Sequence, residues 1–258
     1  MYRIFIWSNL QHIGLALFIF FSAFIHAEEL SVTIVTESLA PLQIDNGNSP
    51  PSGAMVEIVN AMLKSANIHG EVKIYPWARA YQMARTQENT LIFSIMRTPS
   101  REDKFQWVGT LYAATVHLMK LKERSDISVQ KLEQVKQFNV GVTRSDISQE
   151  YLLSKGFEPD VNLMLNSSYP RLWESLFNGK VDFILANEFM WEERKKTQGD
   201  TYRPLEIALR LPDFATDYYL AASNNTSQKV ITKLKKALEM LKQSGQYQAI
   251  LAKWQLEN

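Results

Sequence analysis

Two arginines stand at the end of a strand-like apolar run: TLIFSIM passes directly into RTPSRE, which carries Arg97 and Arg101. A guanidinium beside a buried strand is costly unless an anion meets it. Its planar fork suits a carboxylate, through two parallel charge-assisted hydrogen bonds. The stretch therefore reads as the mouth of a site for an anionic group, with Thr98 as a neighbouring hydroxyl donor. Glu37 closes the strand-like run LSVTIVTE. Aromatic residues are plentiful nearby: Trp77 in YPWARA, Tyr112 in LYAA, and Tyr169 and Trp173 in SSYPRLW. Flat rings can enclose the body of a solute while a charge holds its end. Trp77 opens a helix just after a strand, where clefts of α/β proteins form, and reads as a site residue. Trp173 shares helical spacing with Leu172 and Leu176 and reads as core. Arg79 can point into the same cleft or cover the helix surface, and Arg97 can touch a solute or hold the cleft wall.

Other chemistries are poorly supplied. The chain has no cysteine, which excludes a disulfide scaffold, a thiolate site and a lipid-bearing cysteine. Of four histidines only His69 and His117 lie beyond the amino-terminal segment, each beside an apolar run. Both read as structural or surface residues, so a histidine-based metal site or a Ser-His-Asp arrangement is not expected. No metal or cofactor is expected. The formal net charge of +1 lacks the basic face that nucleic acid demands.

Residues 1–27 resemble a secretory signal peptide: Arg3, the apolar run GLALFIFFSAFI, and Ala27 before Glu28. The apolar run is short for a bilayer, which needs roughly 20 residues. Cleavage after Ala27 leaves about 230 residues, enough for two modest lobes, and places the chain in the periplasm.

Beyond that point, short β-rich runs alternate with longer helical ones, the signature of α/β layering with parallel strands. LSVTIVTE, EVKIYP and TLIFSIM read as strands, and AMVEIVNAMLKSANI and WARAYQMARTQEN as helices, the first with Met55, Ile58, Val59 and Met62 on one face. LYAATVHLMKLK reads as one long strand. A second set follows, with VQKLEQVKQ, ISQEYLLSKG, YPRLWESLFNG and FMWEERKKTQG as helices and FNVGVT, VNLML and VDFILA as strands. FATDYYLAAS then reads as another long strand before two terminal helices. Two long strands flanking the second set suggest a chain that crosses from one lobe to another and returns.

This order, together with TESLAPLQ followed by Gly53 and a helix bearing Glu57, YPWARA, RTPSRE before FQWVG, FNVGVTRSD, NGKVDFILANE and the closing GQYQAILAKW, resembles the bacterial periplasmic solute-binding proteins of family 3, the amino-acid-binding type. The resemblance covers nearly the whole chain after residue 27. It implies a two-lobed periplasmic binding protein type II fold, each lobe a mixed sheet flanked by helices, joined by two crossing strands. The lobes would comprise residues 28–118 with 217–258, and 119–216. The implied function is capture of a small polar, carboxylate-bearing solute by hinge closure, by a monomer without enzymatic activity, for an inner-membrane ABC permease. Arg101 would clamp the carboxylate.

Departures from the family's pattern shape what else is expected. Met96 and Arg97 stand where a hydroxyl-bearing run is usual. Asp146 stands near a usual Ser or Thr, where it either turns away or meets a cationic part of the solute. Asn187 stands where a carboxylate usually receives the α-ammonium, with Glu188 or Asp146 as replacements. Two further readings belong to the same resemblance: an enzyme of the cyclohexadienyl dehydratase type using Glu188 or Asp146, and a sensor acting on a membrane receptor.

Overall fold

The computed structural model describes residues 30–198, 203–214 and 217–256; the leader read from the sequence lies outside the described residues. Among these residues, ten strands form two five-stranded sheets. The first half of the chain gives β1 (Ser31–Thr36), α1 (Ala54–Ala66), β2 (His69–Ile74), α2 (Trp77–Thr86), β3 (Thr90–Met96), β4 (Gln106–Ala113) and β5 (His117–Leu121). The middle gives α3 (Leu132–Val135), β6 (Val140–Thr143), α4 (Ile147–Ser154), β7 (Leu163–Asn166), α5 (Tyr169–Phe177) and β8 (Phe183–Ala186). There follow α6 (Glu188–Gln198), β9 (Leu205–Arg210), β10 (Asp217–Ala222), α7 (Gln228–Gln243) and α8 (Gln246–Lys253).

One sheet runs β2-β1-β3-β10-β4 and the other β7-β6-β8-β5-β9. In each, three parallel strands come from successive strand-helix units, and antiparallel strands complete the sheet. The run LYAATVHLMKLK is divided: its first residues end β4 in one sheet, and His117–Leu121 pair with β8 and β9 in the other. The first crossing therefore falls at 114–116, slightly before the boundary read after residue 118. β9 is a strand that the sequence pattern did not single out; among its residues only Leu205 is buried, so apolar periodicity is weak there. The helix expected over VQKLEQVKQ shrinks to the four residues of α3, whose one buried residue is Val135. A polar segment with so little to bury gains little from a longer helix.

Burial follows chemistry elsewhere. Every residue of β3 is buried, as a central strand covered on both faces requires. Met55, Ile58, Val59 and Met62 are all buried on α1, while Lys64 and Asn60 face water. The loop between β1 and α1 is folded back against itself, with Gly53 at φ +122°. A β-carbon there would meet the Leu42 carbonyl oxygen at 2.5 Å, so only glycine fits this close approach. Gly53→Ala is expected to destabilise the protein by about 2 kcal/mol, since overpacking adds to an unfavourable backbone conformation. Urea unfolding checks this, and an unchanged midpoint would contradict the close approach.

Candidate functional site

Between the two sheets lies a small cavity of about 30 Å³, lined among others by Glu37, Trp77, Ser94, Arg101, Asp146, Tyr169 and Tyr218. That is room for water but not for an organic solute. Both sheets contribute to it. β1 ends immediately before Glu37, so the carboxyl leaves the carboxyl edge of a central strand. At Ser94 the strand β3 adopts φ +57°, and the pairing with β10 skips this residue. Such a bulge re-aims a side chain; Ser94 Oγ turns to the cavity and donates to Gln43 Oε1 at 2.9 Å.

From the second sheet, β6 leads into a tight turn in which Ser145 has φ +63°. This turn presents the Ser145 carbonyl to the indole Nε1 of Trp77, which donates to it at 2.8 Å. Asp146 then caps α4, accepting from the Gln149 N–H at 3.0 Å. The sequence RSDI thus serves two ends at once, starting a helix and delivering a buried acid to the cavity.

Arg101 is only 1% exposed. Its Nε and Nη2 both donate to Glu150 Oε1, at 3.0 and 2.5 Å, and Nη1 donates to the Met96 carbonyl at 3.4 Å. Its guanidinium carbon lies 5.1 Å from the Tyr81 ring centre and 5.8 Å from that of Trp77. Glu150 sits on α4, one helical turn after Asp146, and its second oxygen accepts from Ser100 Oγ at 2.9 Å. Arg101 therefore joins the two sheets through an ion pair.

The two acids of the cavity are under strong electrostatic pressure. Glu37 is held well above the usual carboxylate range, first by burial and then by the neighbouring charge of Asp146. One of its oxygens, Oε2, is buried without a hydrogen-bond partner. Asp146 is pushed up to about 6, chiefly by burial; the Gln149 N–H and the charge of Arg101 pull the other way. Burial also raises the Tyr169 and Tyr218 hydroxyls, so both are neutral donors at any ordinary pH.

Of the residues singled out from sequence, the fold thus brings Arg101, Trp77, Asp146 and Glu37 to one cavity. Others go elsewhere. Arg97 makes a two-point ion pair with Glu102 and lies over Trp107 and Tyr219. Thr98 meets Ser100 at 2.9 Å. Arg97 and Thr98 line an outer cleft of about 960 Å³, which Glu150 also borders. Arg79 is exposed, packed on the Tyr75 ring at 4.3 Å, and covers the helix surface. Tyr112 and Asn187 line a separate hollow of about 520 Å³ beside the crossing strands. Asn187 Oδ1 accepts from the Met190 N–H and its amide donates to the Tyr218 hydroxyl, so it acts as a helix cap behind the cavity. The side chain of Glu188 lies outside the described residues. Trp173 is buried in the core.

Glu150, Tyr81, Ser94 and Tyr218 were not legible as site residues. Glu150 had one available signal: four residues beyond Asp146, it shares a face of the first turns of α4.

Residues 32–257 match the family described as bacterial extracellular solute-binding proteins, family 3. The chain belongs to that family. A probable histidine-binding protein of Neisseria gonorrhoeae is 23% identical over 83% of this chain and 79% of its own. An arginine-binding periplasmic protein of Mannheimia haemolytica is 21% identical over 91% and 94% of the two chains. Among solved structures, an ancestral arginine-binding protein bound to arginine superposes with a TM-score of 0.75 at 18% identity, covering 87% and 97% of the two chains. The two mixed sheets with flanking helices are thus those of the type II binding-protein fold. The protein is a solute-binding protein of that family.

The raised pKa of Asp146 makes a stability prediction. Its ordinary value is near 4, so the protonated form is favoured by folding. That contribution is complete below about pH 4 and is lost as the pH rises through about 6. Asp146→Asn keeps the cap acceptor and removes the ionisation. Its melting temperature is expected to gain on the wild type between pH 4.5 and 7.5, by several degrees for roughly 2 kcal/mol. A difference that stays flat over this range in thermal unfolding would contradict a desolvated Asp146.

Proposed function

We propose that this solute receptor captures a small molecule bearing a carboxylate and a cationic side group, a basic amino acid or close analogue, and delivers it to an ABC-type permease of the inner membrane. The observation that carries the reading is the pair of buried acids: Glu37, with an unpartnered oxygen, and Asp146, both facing one aromatic-walled cavity. A buried carboxylate without a partner is expensive, and a cation placed between two of them relieves both desolvation and mutual repulsion. Trp77, Tyr169 and Tyr218 offer ring faces that suit the same charge. Arg101 supplies the opposite end, for the solute's carboxylate. The likeness to an arginine-binding and a histidine-binding protein supports the same ligand class.

The cavity admits no such solute as it stands, so entry requires the lobes to part about the two crossings, at 114–116 and between Arg210 and Asp217. Cleavage of the leader after Ala27 would release the receptor into the periplasm, where it acts as a monomer that binds without converting its solute. Glu37, Trp77, Arg101 and Asp146 form the proposed contact set.

A thermal-shift series on the exported protein tests the reading. Arginine, lysine, ornithine and histidine are expected to raise the melting temperature by roughly 5 to 11 °C at about 100 times their dissociation constants. Glutamate and uncharged amino acids should give little at equal concentration. Glu37→Gln, which keeps the shape and removes the charge, should weaken the best cationic ligand roughly 10- to 100-fold, the worth of one hydrogen bond to a charged group. A series in which acidic solutes bind best, or in which Glu37→Gln binds arginine as tightly as the wild type, would contradict it.

A further inference from the structure

The guanidinium of Arg101 is already occupied. Its Nε and Nη2 edge, the one that meets a carboxylate with two parallel bonds, is taken by Glu150 Oε1. Tyr81 and Trp77 lie within 6 Å of the guanidinium carbon, and the whole residue is almost fully buried. A second carboxylate has no approach to that edge while Glu150 remains. Glu150 differs from the other acids here in being free to leave: its side chain is 34% exposed, and it borders the outer cleft of about 960 Å³. Its remaining oxygen is held only by Ser100 on the rim.

From this arrangement we propose that Glu150 is a built-in stand-in for the solute's carboxylate, which holds the empty protein closed by occupying Arg101 and is displaced into the outer cleft when a solute enters. The proposal rests on the reading that Arg101 receives a ligand carboxylate, and it adds a residue that sets both affinity and selectivity. A carboxylate-bearing solute must compete with Glu150, so its net affinity is the difference between two ion pairs to the same arginine. An amine or guanidine without a carboxylate does not enter that competition. Charge bookkeeping points the same way. Among the described residues that line the cavity, Arg101 is the one cation beside the two acids Glu37 and Asp146, and Glu150 already pairs with it, so a solute that adds a carboxylate is best tolerated when it also brings cationic charge to Glu37 and Asp146.

The test compares wild type and Glu150→Gln in two measurements. Small-angle scattering of the unliganded proteins reads closure: the variant, whose amide cannot replace the charged contact, is expected to show a larger radius of gyration than the wild type. Calorimetric titration reads competition. Arginine should bind the variant at least tenfold more tightly than the wild type, whereas agmatine, the same side group without a carboxylate, should change less than twofold. Glu150→Ala, measured in parallel, guards against residual pairing through the glutamine amide. Equal compactness of both variants and wild type would overturn the proposal, as would arginine binding weakened by loss of Glu150, which would make it part of the liganded seat. Should no protein bind arginine while both variants open, the ligand assignment fails and the closing role of Glu150 stands.

Discussion

The site is organised around one ion pair, that of Arg101 with Glu150. It is a charged contact across the cleft, and the cavity residues gather around it. A buried arginine left alone would be prohibitive, so the loop after β3 can keep Arg101 inside only if a carboxylate always meets it. In this structure that partner, Glu150, comes from α4 in the other lobe. The Trp77 indole bond to Ser145 reinforces the same approach, and together they bring Asp146 against Glu37. Two acids that would prefer bulk water are thereby brought together in a cavity of about 30 Å³.

This is a frustrated arrangement, and its frustration is what a receptor needs. Burial leaves a carboxylate oxygen of Glu37 without a partner and pushes both acids toward protonation. In the proposed function, a cation placed between the two acids removes those penalties, so the solute gains affinity from strain already built into the site. The supporting frame is stiff by contrast. Fully buried β3, the glycine-locked loop at Gly53 and the helix caps of α4 and α6 hold the functional groups at strand ends and helix starts.

Much of this was legible before the structure. Local periodicity found most helices and strands, because apolar stripes and alternations are written in contiguous residues. The motif order gave the two-lobed architecture, and a costly arginine after a buried strand pointed to Arg101. What sequence could not give was the partner. Glu150 lies 49 residues from Arg101, and nothing local distinguishes it from a solvated helix acid. The roles of Asn187 and Arg79 were equally undecidable: an amide after a strand can face a solute or cap the next helix, and only the direction of α6 selects the cap. The division of LYAATVHLMKLK between two sheets also depends on pairing partners far along the chain.

Glu37 and Asp146, whose protonated forms burial favours, ionise to receive a cation. Calorimetry of arginine binding at pH 6.5, repeated in buffers of different ionisation enthalpy, counts the protons exchanged. The account predicts net release of protons on binding, diminished in Asp146→Asn. Zero exchange, or proton uptake, would contradict it.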